Sequence, residues 1–564
     1  MDFLKNYDFW CSANLPVSVK EELEQVRNDA EELKGRFGSE LQFGTAGMRG
    51  LMGVGSNRLN YYTVRRAAQG MAAWLSETNL PQKAAIGYDS RHNSQVFAEA
   101  CAVAFAEVGI HTYLYDRLAP TPMLSFAVRK LCCGCGIVIS ASHNAGAYNG
   151  VKCYGPDGCQ MTDEPAAIVT EKIGKISYFI PEKKSFAEYM RDGLISYIDQ
   201  ALWEDYYQTV MAEAVAPEII KKANLNIVYT PLCGTGNEPV REVLSRLGVN
   251  TTVVSSQALP DGDFKTCEYP NPETDAALNE SYKVARNSPC DVILGTDPDC
   301  DRVAIAVPDG DGFVKLSGNE LGCLLMDYIL NARSKKKDIP DGAIVVRSIV
   351  SSPLADKIAE RYNVTMKAVL TGFKYIGGEI LELENKGQVQ KFIFGFEESC
   401  GYLKGTYARD KDAVVASMLV CELAASLKLE GKTILDALND LYKTYGYYLA
   451  YVQSVELTGA DAMEKAANMM AEFRKNIPAN IGGAAVTAVR DYRTGVAKDL
   501  VEDSQSEIKL PRSNVLEFIL GEYGSVIVRP SGTEPKVKFY YTAIGENKDV
   551  SQNLLDKMVE QMSK

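Results

Sequence analysis

The chain has 564 residues, with 60 lysines and arginines against 73 aspartates and glutamates, a formal charge of −13 at pH 7. That balance argues against duplex DNA or an anionic membrane as partner, because both attract a basic face. At about 150 residues per domain the length predicts roughly four domains, and 46% hydrophobic with 24% charged residues is an ordinary globular composition with a sizeable core.

The opening MDFLKNYDFW has no basic stretch leading into an apolar one, and no apolar run approaches the ~18 residues of a membrane span. A cytoplasmic location is expected, with the 14 scattered cysteines as reduced thiols. Cys132, Cys133 and Cys135 lack a second CxxC or a paired histidine, so zinc is not expected there.

In chain order, Ser18 with Glu21 three residues on predicts a capping box opening one helix over EELEQVRNDAEELKGRFG, stopped by glycine. A strand (AAIGYDS), a helix (SQVFAEACAVAFAEVG) and a second strand (IHTYLY) follow. The same grammar returns in LNIVYTP, NEPVREVLSRLG and VNTTVV, and again in GAIVVRS, SSPLADKIAERYN and VTMKAVL. Strand, helix, strand is the βαβ signature of helices covering sheet faces. Its three copies predict three related mixed α/β domains in series.

Further on, EFRKNIP and DYRTG are expected among short strands. GSVIVRP and VKFYYTAIG are strong strand patterns before a final helix, giving a smaller C-terminal α+β domain. The expected boundaries are 1–197, 198–312, 313–441 and 442–564. Ser334 to Lys337 is expected to be a solvated loop.

Four segments carry candidate chemistry. In GIVISASHN an apolar strand runs into a serine-rich turn, with Ser142 beside His143 and Lys152 downstream. A serine hydroxyl there reads either as a polar turn or as a covalent carrier activated by a base; the G-x-S-x-G elbow of acyl transfer is absent. In GTDPDCDR, Asp297, Asp299 and Asp301 alternate after an apolar strand. Three carboxylates so close repel unless a cation joins them: the run reads as a purely structural acidic loop or as a site for Mg²⁺ or Ca²⁺, and positions left over for waters and a phosphate favour Mg²⁺. The EF-hand pattern fails, with Arg302 at the sixth loop position and Pro308 at the twelfth.

RPSGTEP, from Arg529, offers a guanidinium fork, two hydroxyls and backbone amides around a glycine, a set that suits a phosphate dianion or makes a merely structural turn. It is not a Walker loop. GFEESCGY, with Arg409–Asp412 after it, offers acceptors for sugar hydroxyls or an exposed acidic turn. Gly234–Gly236 lacks the third glycine of a dinucleotide fingerprint, and the glycines of GTAGMRG are weaker still as a signal.

SASHN, GTDPDCDR, GFEESCGY and RPSGTEP, in that order and once per expected domain, resemble the signature set of the α-D-phosphohexomutase superfamily. The resemblance runs from FGTAGMRG to RPSGTEP and is closest to the phosphoglucomutase/phosphopentomutase-like branch, through TGFKYIG and GFEES-x-GY. It implies three related α/β domains and a smaller C-terminal α+β domain around a central cleft. It further implies that Ser142 is phosphorylated and holds Mg²⁺ with Asp297, Asp299 and Asp301, that His143 and Lys152 handle protons, and that Arg49 supports the transferring group. Thr45, Arg302, Lys374 and Lys411 are implied as further substrate contacts. Glu397 and Ser399 are implied to bind sugar hydroxyls, and Arg529, Ser531, Gly532 and Thr533 the non-transferred phosphate. Two departures stand out: the family's Thr-Ala-Ser-His-Asn-Pro is here Ser140 to Ala145, with Ser140 for threonine and Ala145 for the rigid proline.

The expected reaction interconverts glucose 1-phosphate and glucose 6-phosphate through a phosphoserine and glucose 1,6-bisphosphate, which also primes the enzyme. Mannose and pentose phosphates are the nearest rival substrates, and an inactive phosphosugar-binding relative is the rival from another class. A haloacid-type phosphatase is disfavoured because such enzymes carry threonine or valine where Asp301 stands. Small sugar phosphates are the expected partners, with a monomer or small homo-oligomer. They should meet locally cationic ground at Arg49, Lys152, Arg302, Lys411 and Arg529.

Overall fold

A computed structural model of the chain describes residues 2–44, 47–458, 462–531 and 536–563. They form two compact units, one of residues 1–318, 376–395 and 399–430, the other of residues 319–375, 396–398 and 431–564.

The first unit opens with helices Phe3–Cys11, Val17–Val26 and Ala30–Phe37. The single helix expected from Ser18 is therefore two. The break comes at Asp29, whose carboxylate accepts the amides of Glu31 and Glu32 and so caps a new helix instead of continuing the old one. The capping box does not form, because the second helix already begins at Val17 behind Pro16 and leaves Ser18 inside its first turn. Trp10, Leu23, Leu33 and Phe37 join the three helices in one small core.

The first sheet has six strands, ordered Gly47–Leu51, Tyr148–Tyr154, Cys135–Ile139, Lys83–Tyr88, His111–Leu114 and Ile195–Tyr197. Lys83–Tyr88 pairs in parallel with both His111–Leu114 and Cys135–Ile139, so the first βαβ unit stands as expected, with helix Ser94–Ala106 as its crossover. All five residues of Cys135–Ile139 are buried, which is why it reads as an unbroken apolar run. Tyr148–Tyr154 returns antiparallel and pairs on its other side with Gly47–Leu51. Gly47 is required there: its φ is +113°, and a Cβ would lie 1.8 Å from the Val151 carbonyl oxygen.

The second sheet orders Gly312–Lys315, Val303–Asp309, Val292–Thr296, Asn226–Thr230 and Asn250–Val253. Asn226–Thr230 is parallel to Asn250–Val253 and to Val292–Thr296. Helix Asn237–Leu247 makes the crossover and stops at Gly248 in the left-handed conformation.

In the second unit, Ile344–Ser348 and Thr365–Val369 pair in parallel around helix Leu354–Arg361, the third copy of the pattern. A seven-stranded sheet, antiparallel throughout, follows in the order Tyr447–Glu456, Lys536–Gly545, Gly524–Pro530, Leu516–Ile519, Ala488–Asp491, Val496–Asp499 and Ser504–Glu507. Helices Ala462–Lys475 and Lys548–Met562 pack against it. The start of EFRKNIP thus ends a helix and does not lie among strands: Ala466, Met470 and Phe473 fall at helical spacing and turn one apolar stripe to the sheet core. Ser334 to Lys336 likewise form the exposed last turn of helix Gly318–Lys336, where positive charge complements the helix dipole, and not a loop.

None of the 14 cysteines forms a disulfide. Among the described residues no helix is long and apolar enough to cross a membrane.

Candidate active site

The strand Cys135–Ile139 ends at Ser140, and the chain turns through Ser142 before it returns at Tyr148. Ser142 is buried and sits at φ +53°, a left-handed conformation uncommon outside glycine. Its amide donates to Ser140 Oγ at 2.8 Å, so the serine that replaces threonine retains a hydroxyl with a local task. Ser142 Oγ donates to Asp297 Oδ2 at 2.7 Å and lies 3.1 Å from His143 Nδ1.

Asp297 opens the turn after strand Val292–Thr296, and its Oδ1 accepts the amides of Asp301 and Arg302 at 3.1 and 3.0 Å. Thr235 packs against this turn by donating its amide to the Pro298 carbonyl at 2.8 Å, and a Cβ on Gly234 would come within 2.4 Å of Pro298 Cα. Gly234 therefore serves close packing of the acidic loop.

Asp297, Asp299 and Asp301 are buried, and one carboxylate oxygen from each lies within 4.8 Å of the others. Asp299 Oδ2 accepts from Thr121 Oγ1 at 2.7 Å and from Lys152. Asp301 Oδ2 meets Lys152 Nζ at 3.2 Å and Lys411 Nζ at 3.1 Å. The Oδ1 atoms of Asp299 and Asp301 are buried with no hydrogen-bond donor. Arg302 Nε lies 3.8 Å from Asp301 Oδ1, beyond hydrogen-bond distance, and a buried carboxylate oxygen without a hydrogen bond is costly. Two such atoms in a cluster of hard oxygen donors fit a small divalent cation such as Mg²⁺.

The charges shape one another. Burial and the neighbouring Asp299 and Asp301 push Asp297 well above the carboxylate range. Burial pushes Asp299 the same way, yet Lys152 outweighs it and holds that carboxyl low. Asp301 is held low by Lys152, Lys411 and Arg302, against burial and Asp299. Lys152 is raised by Asp299 and Asp301 despite its burial, so it stays charged. Burial, then the charges of Arg302 and Arg49, drive His143 well below its ordinary value and keep it neutral.

Arg49 projects from strand Gly47–Leu51 and donates to Asn144 Oδ1 at 3.0 Å. Arg302 is engaged by Glu273 at 2.7 Å. Lys411 also holds Asp410 at 3.0 Å, whose other oxygen takes the Tyr154 hydroxyl at 2.7 Å. A Cβ on Gly401 would lie 2.1 Å from Lys411 Cδ, so glycine there clears the lysine's path. The first unit thus assembles Arg49, Ser142, His143, Lys152, the three aspartates, Arg302 and Lys411 from segments hundreds of residues apart, and Ser399 stands half-buried in it.

The second unit holds the other expected contacts. The buried Glu397 accepts the Gly372 amide at 2.6 Å, and Glu398 accepts from Ser348 Oγ at 3.0 Å. Arg529 leaves strand Gly524–Pro530 beside Tyr540, whose hydroxyl is pushed up to about 12 by burial and the Glu398 charge, against the hydrogen bond from Arg529. Lys374 Nζ stands 5.0 Å from the Tyr375 ring centroid, and the Ser531 amide donates to the Lys536 carbonyl at 2.8 Å. Thr45, Gly532 and Thr533 lie outside the described residues.

Two residues of this site have no motif of their own. Thr121 looks like an ordinary helix start in PTP, and Arg91 like a turn residue after GYDS. The only signal for either is its place just beyond the carboxyl end of a sheet strand, where α/β folds collect function.

Four domain descriptions of phosphoglucomutase/phosphomannomutase match in series: α/β/α domain I at residues 40–178, domain II at 204–310, domain III at 317–445 and the C-terminal domain at 481–560. The chain belongs to the phosphoglucomutase/phosphomannomutase family. It is 38% identical over 555 residues to a phosphoglucomutase of Staphylococcus aureus strain MSSA476, covering 97% of both chains. Among solved structures it shares its fold with the phosphoglucomutase pp63/parafusin of Paramecium (TM-score 0.67, 16% identity, 93% of this chain and 94% of that one). It also matches an Aspergillus fumigatus N-acetylphosphoglucosamine mutase in complex with GlcNAc-6P and magnesium (TM-score 0.52, 14% identity, 97% and 99% covered). The family makes the chain an enzyme of the phosphotransferase and isomerase class, and its four domains agree with the three related α/β domains and smaller C-terminal domain expected from the sequence.

Proposed function

We propose that this enzyme is a phosphoglucomutase that interconverts glucose 1-phosphate and glucose 6-phosphate through a phosphorylated Ser142. The observation that carries the reading is the hydrogen bond of the Ser142 hydroxyl to Asp297 inside a buried three-aspartate cluster. The 38% identity to a phosphoglucomutase over nearly the whole chain supports glucose as the sugar.

In this reading the phosphoryl group of Ser142 passes to a free hydroxyl of the sugar phosphate. The P–Oγ bond breaks, a P–O bond to the sugar forms, and glucose 1,6-bisphosphate results. After the bisphosphate turns over, its other phosphoryl group returns to Ser142. Each hydroxyl that is phosphorylated loses a proton, and each oxygen released from phosphorus gains one. His143, neutral and 3.1 Å from Ser142 Oγ, is suited to accept, while Lys152, held charged by two aspartates, is suited to donate. Arg49, at the mouth of the serine loop, would support the transferring group. Asp297, Asp299 and Asp301, with an oxygen on Ser142, would hold Mg²⁺, which when bound supplies charge neutralisation to the phosphoryl oxygens. Glu397 and Ser399 would accept from sugar hydroxyls, and Arg529, Ser531, Gly532 and Thr533 would take the non-transferred phosphate. Thr45, Arg302, Lys374 and Lys411 would complete the substrate contacts. We assign these tasks to domains 1–197, 198–312, 313–441 and 442–564, in a cytoplasmic enzyme.

The test is a panel of glucose, mannose, glucosamine, ribose and deoxyribose phosphates assayed with Mg²⁺ and the matching bisphosphate, alongside intact-protein mass spectrometry. Highest kcat/KM on glucose 1-phosphate and one added phosphate on Ser142 are expected. A Ser142→Ala enzyme with the full mutase rate would sink the mechanism, and preference for another sugar would reassign the substrate.

A further inference from the structure

Taking Ser142 as the phosphoryl carrier, we propose that Arg91 is a positioning residue for it, whose guanidinium fixes the backbone of the serine loop. The Arg91 side chain is fully buried. It donates to the carbonyls of Ser142 at 2.6 Å, Ala145 at 2.8 Å and Tyr148 at 2.9 Å, and also to that of Asn144. One side chain therefore binds four carbonyls of the turn between Ser142 and Tyr148. A guanidinium presents its donors in a rigid planar fork, so it dictates the relative placement of those carbonyls; a lysine, with one rotatable ammonium, would not.

The fork is itself held. Asp89 Oδ1 accepts the Arg91 amide at 3.0 Å and Ser94 Oγ at 2.8 Å, and Asp89 Oδ2 lies 3.3 Å from Arg91 Nε. The buried Phe264 places its ring 5.0 Å from the guanidinium carbon. Close by, Asp263 Oδ1 lies 2.6 Å from His92 Nε2, and a Cβ on Gly262 would meet the His92 amide at 2.8 Å. A segment of the second α/β domain thus packs behind Arg91 in the same unit.

The loop needs such a hold. Ser142 sits at φ +53° without being glycine, a conformation that persists only where surroundings impose it. Position 145 is alanine, with no ring to stiffen the turn. Without the fork Ser142 is free to return to an ordinary backbone conformation, which carries Oγ away from Asp297. The hydrogen bonds of Arg91 to the loop go to its backbone, while its charge also acts on Asp299 and Asp297. Arg91→Lys keeps that charge and loses the fork, so the positioning effect should fall on the rate of transfer and not on sugar binding.

The experiment uses the full chain with Mg²⁺ and glucose 1,6-bisphosphate. Arg91→Ala, Arg91→Lys and Asp89→Asn are compared with wild type for kcat, for KM on glucose 1-phosphate, and for the rate at which Ser142 gains phosphate, read by rapid-quench mass spectrometry per folded molecule. For Arg91→Ala we expect kcat to fall about 100-fold, the cost of a misplacement near 1 Å, with KM close to wild type. Millimolar guanidinium chloride should restore part of the Arg91→Ala rate and leave wild type unchanged. Arg91→Lys should stay slow despite its charge, and Asp89→Asn should fall between. A folded Arg91→Ala enzyme at the wild-type rate overturns the proposal, as does a loss carried wholly by KM or one that guanidinium does not relieve. Should Arg91→Ala not fold, a folded Arg91→Lys that phosphorylates Ser142 at the wild-type rate overturns it equally. Wild-type turnover without phosphate on Ser142 overturns the phosphoserine reading instead, which separates the two failures.

Discussion

Thr121→Val removes one oxygen from a buried position and should weaken the enzyme's hold on Mg²⁺. The hydroxyl donates at 2.7 Å to Asp299 Oδ2, and Thr121 is fully buried, so water cannot replace the lost donor. A hydrogen bond to a charged group contributes about 1.5–3 kcal/mol, which at about 1.4 kcal/mol per factor of ten is roughly 10- to 100-fold in affinity. Removal of an outer partner of a metal-binding carboxylate falls in the same range, about 10- to 100-fold. Lys152 remains on the same oxygen, which favours the lower half of that range. The backbone bond from the Thr121 amide to the Asp299 carbonyl, at 2.9 Å, is untouched, so the helix start should survive. Isothermal titration with Mg²⁺ measures the change directly, and the Mg²⁺ dependence of mutase activity in a coupled assay should shift in parallel. Thr121→Ser keeps the hydroxyl and should stay near wild type. If valine binds Mg²⁺ as tightly as threonine while the fold is intact, Asp299 is not a ligand whose geometry this hydroxyl controls, and the site is wrongly built.

Gly401→Ala should push Lys411 off Asp301, because the new methyl would sit 2.1 Å from Lys411 Cδ; kcat is expected to fall on the order of tenfold, as for one lost charge-assisted bond, with the melting temperature nearly unchanged. Gly47→Ala adds about 1–3 kcal/mol of backbone strain at φ +113° and a clash with the Val151 carbonyl, so strand Gly47–Leu51 should detach and become open to limited proteolysis before the rest of its sheet. Glu384→Gln tests pH dependence: hydrogen bonds from Arg129, with the Arg409 charge, hold this carboxyl below its usual value. A lowered carboxyl contributes stability above the unfolded value of about 4.3 and loses it as pH falls through the folded one. Wild type should therefore exceed the glutamine variant by a constant margin at pH 6–8, about 0.5–1 kcal/mol for so exposed a pair, and the margin should shrink below pH 4. A margin that grows in acid would contradict the assignment.

The three βαβ units were legible because their central strands, such as Cys135–Ile139 and Val292–Thr296, are buried along their whole length and leave runs that only a covered sheet strand needs. The helix caps were less so. Ser18 and Asp29 offer the same short-range chemistry, and nothing local says that Asp29 wins and splits the helix. In EFRKNIP the apolar spacing that matters begins before the segment, at Ala466 and Met470, so a short window hides the helix. The motifs gave the serine and the aspartates by residue type. What tunes them was invisible: Lys152 and Asp299 are 147 residues apart and meet only because the fold brings strand Tyr148–Tyr154 to the loop after Val292–Thr296 within one unit. Thr121 and Arg91 act through one hydroxyl and one guanidinium whose importance lies wholly in where the fold puts them.

The expectation of open cationic ground for the substrate needs revising in the same light. Lys152 is committed to Asp299 and Asp301, Lys411 to Asp301 and Asp410, and Arg302 to Glu273 and, more distantly, Asp301. Burial and its acidic neighbours hold a proton on Asp297 until a cation takes its place. In that cation-binding form five carboxylates share three cations, and with His143 kept neutral the side chains of the cluster carry two negative charges in excess. A sugar phosphate would be repelled by that cluster on its own, whereas the Oδ1 atoms of Asp299 and Asp301, which accept no hydrogen bond, suit a cation. A divalent cation offsets those two charges and no more. The site is therefore poised at neutrality with the ion counted, and the attraction for a phosphate dianion has to come from groups outside the cluster. Arg49, which donates to Asn144 on the serine loop, is such a group. On this account Arg49→Ala should raise KM for the sugar phosphate with Mg²⁺ affinity unchanged, whereas loss of Lys152 should change both. Equal loss of Mg²⁺ binding in the two variants would refute the division of charge between cluster and rim.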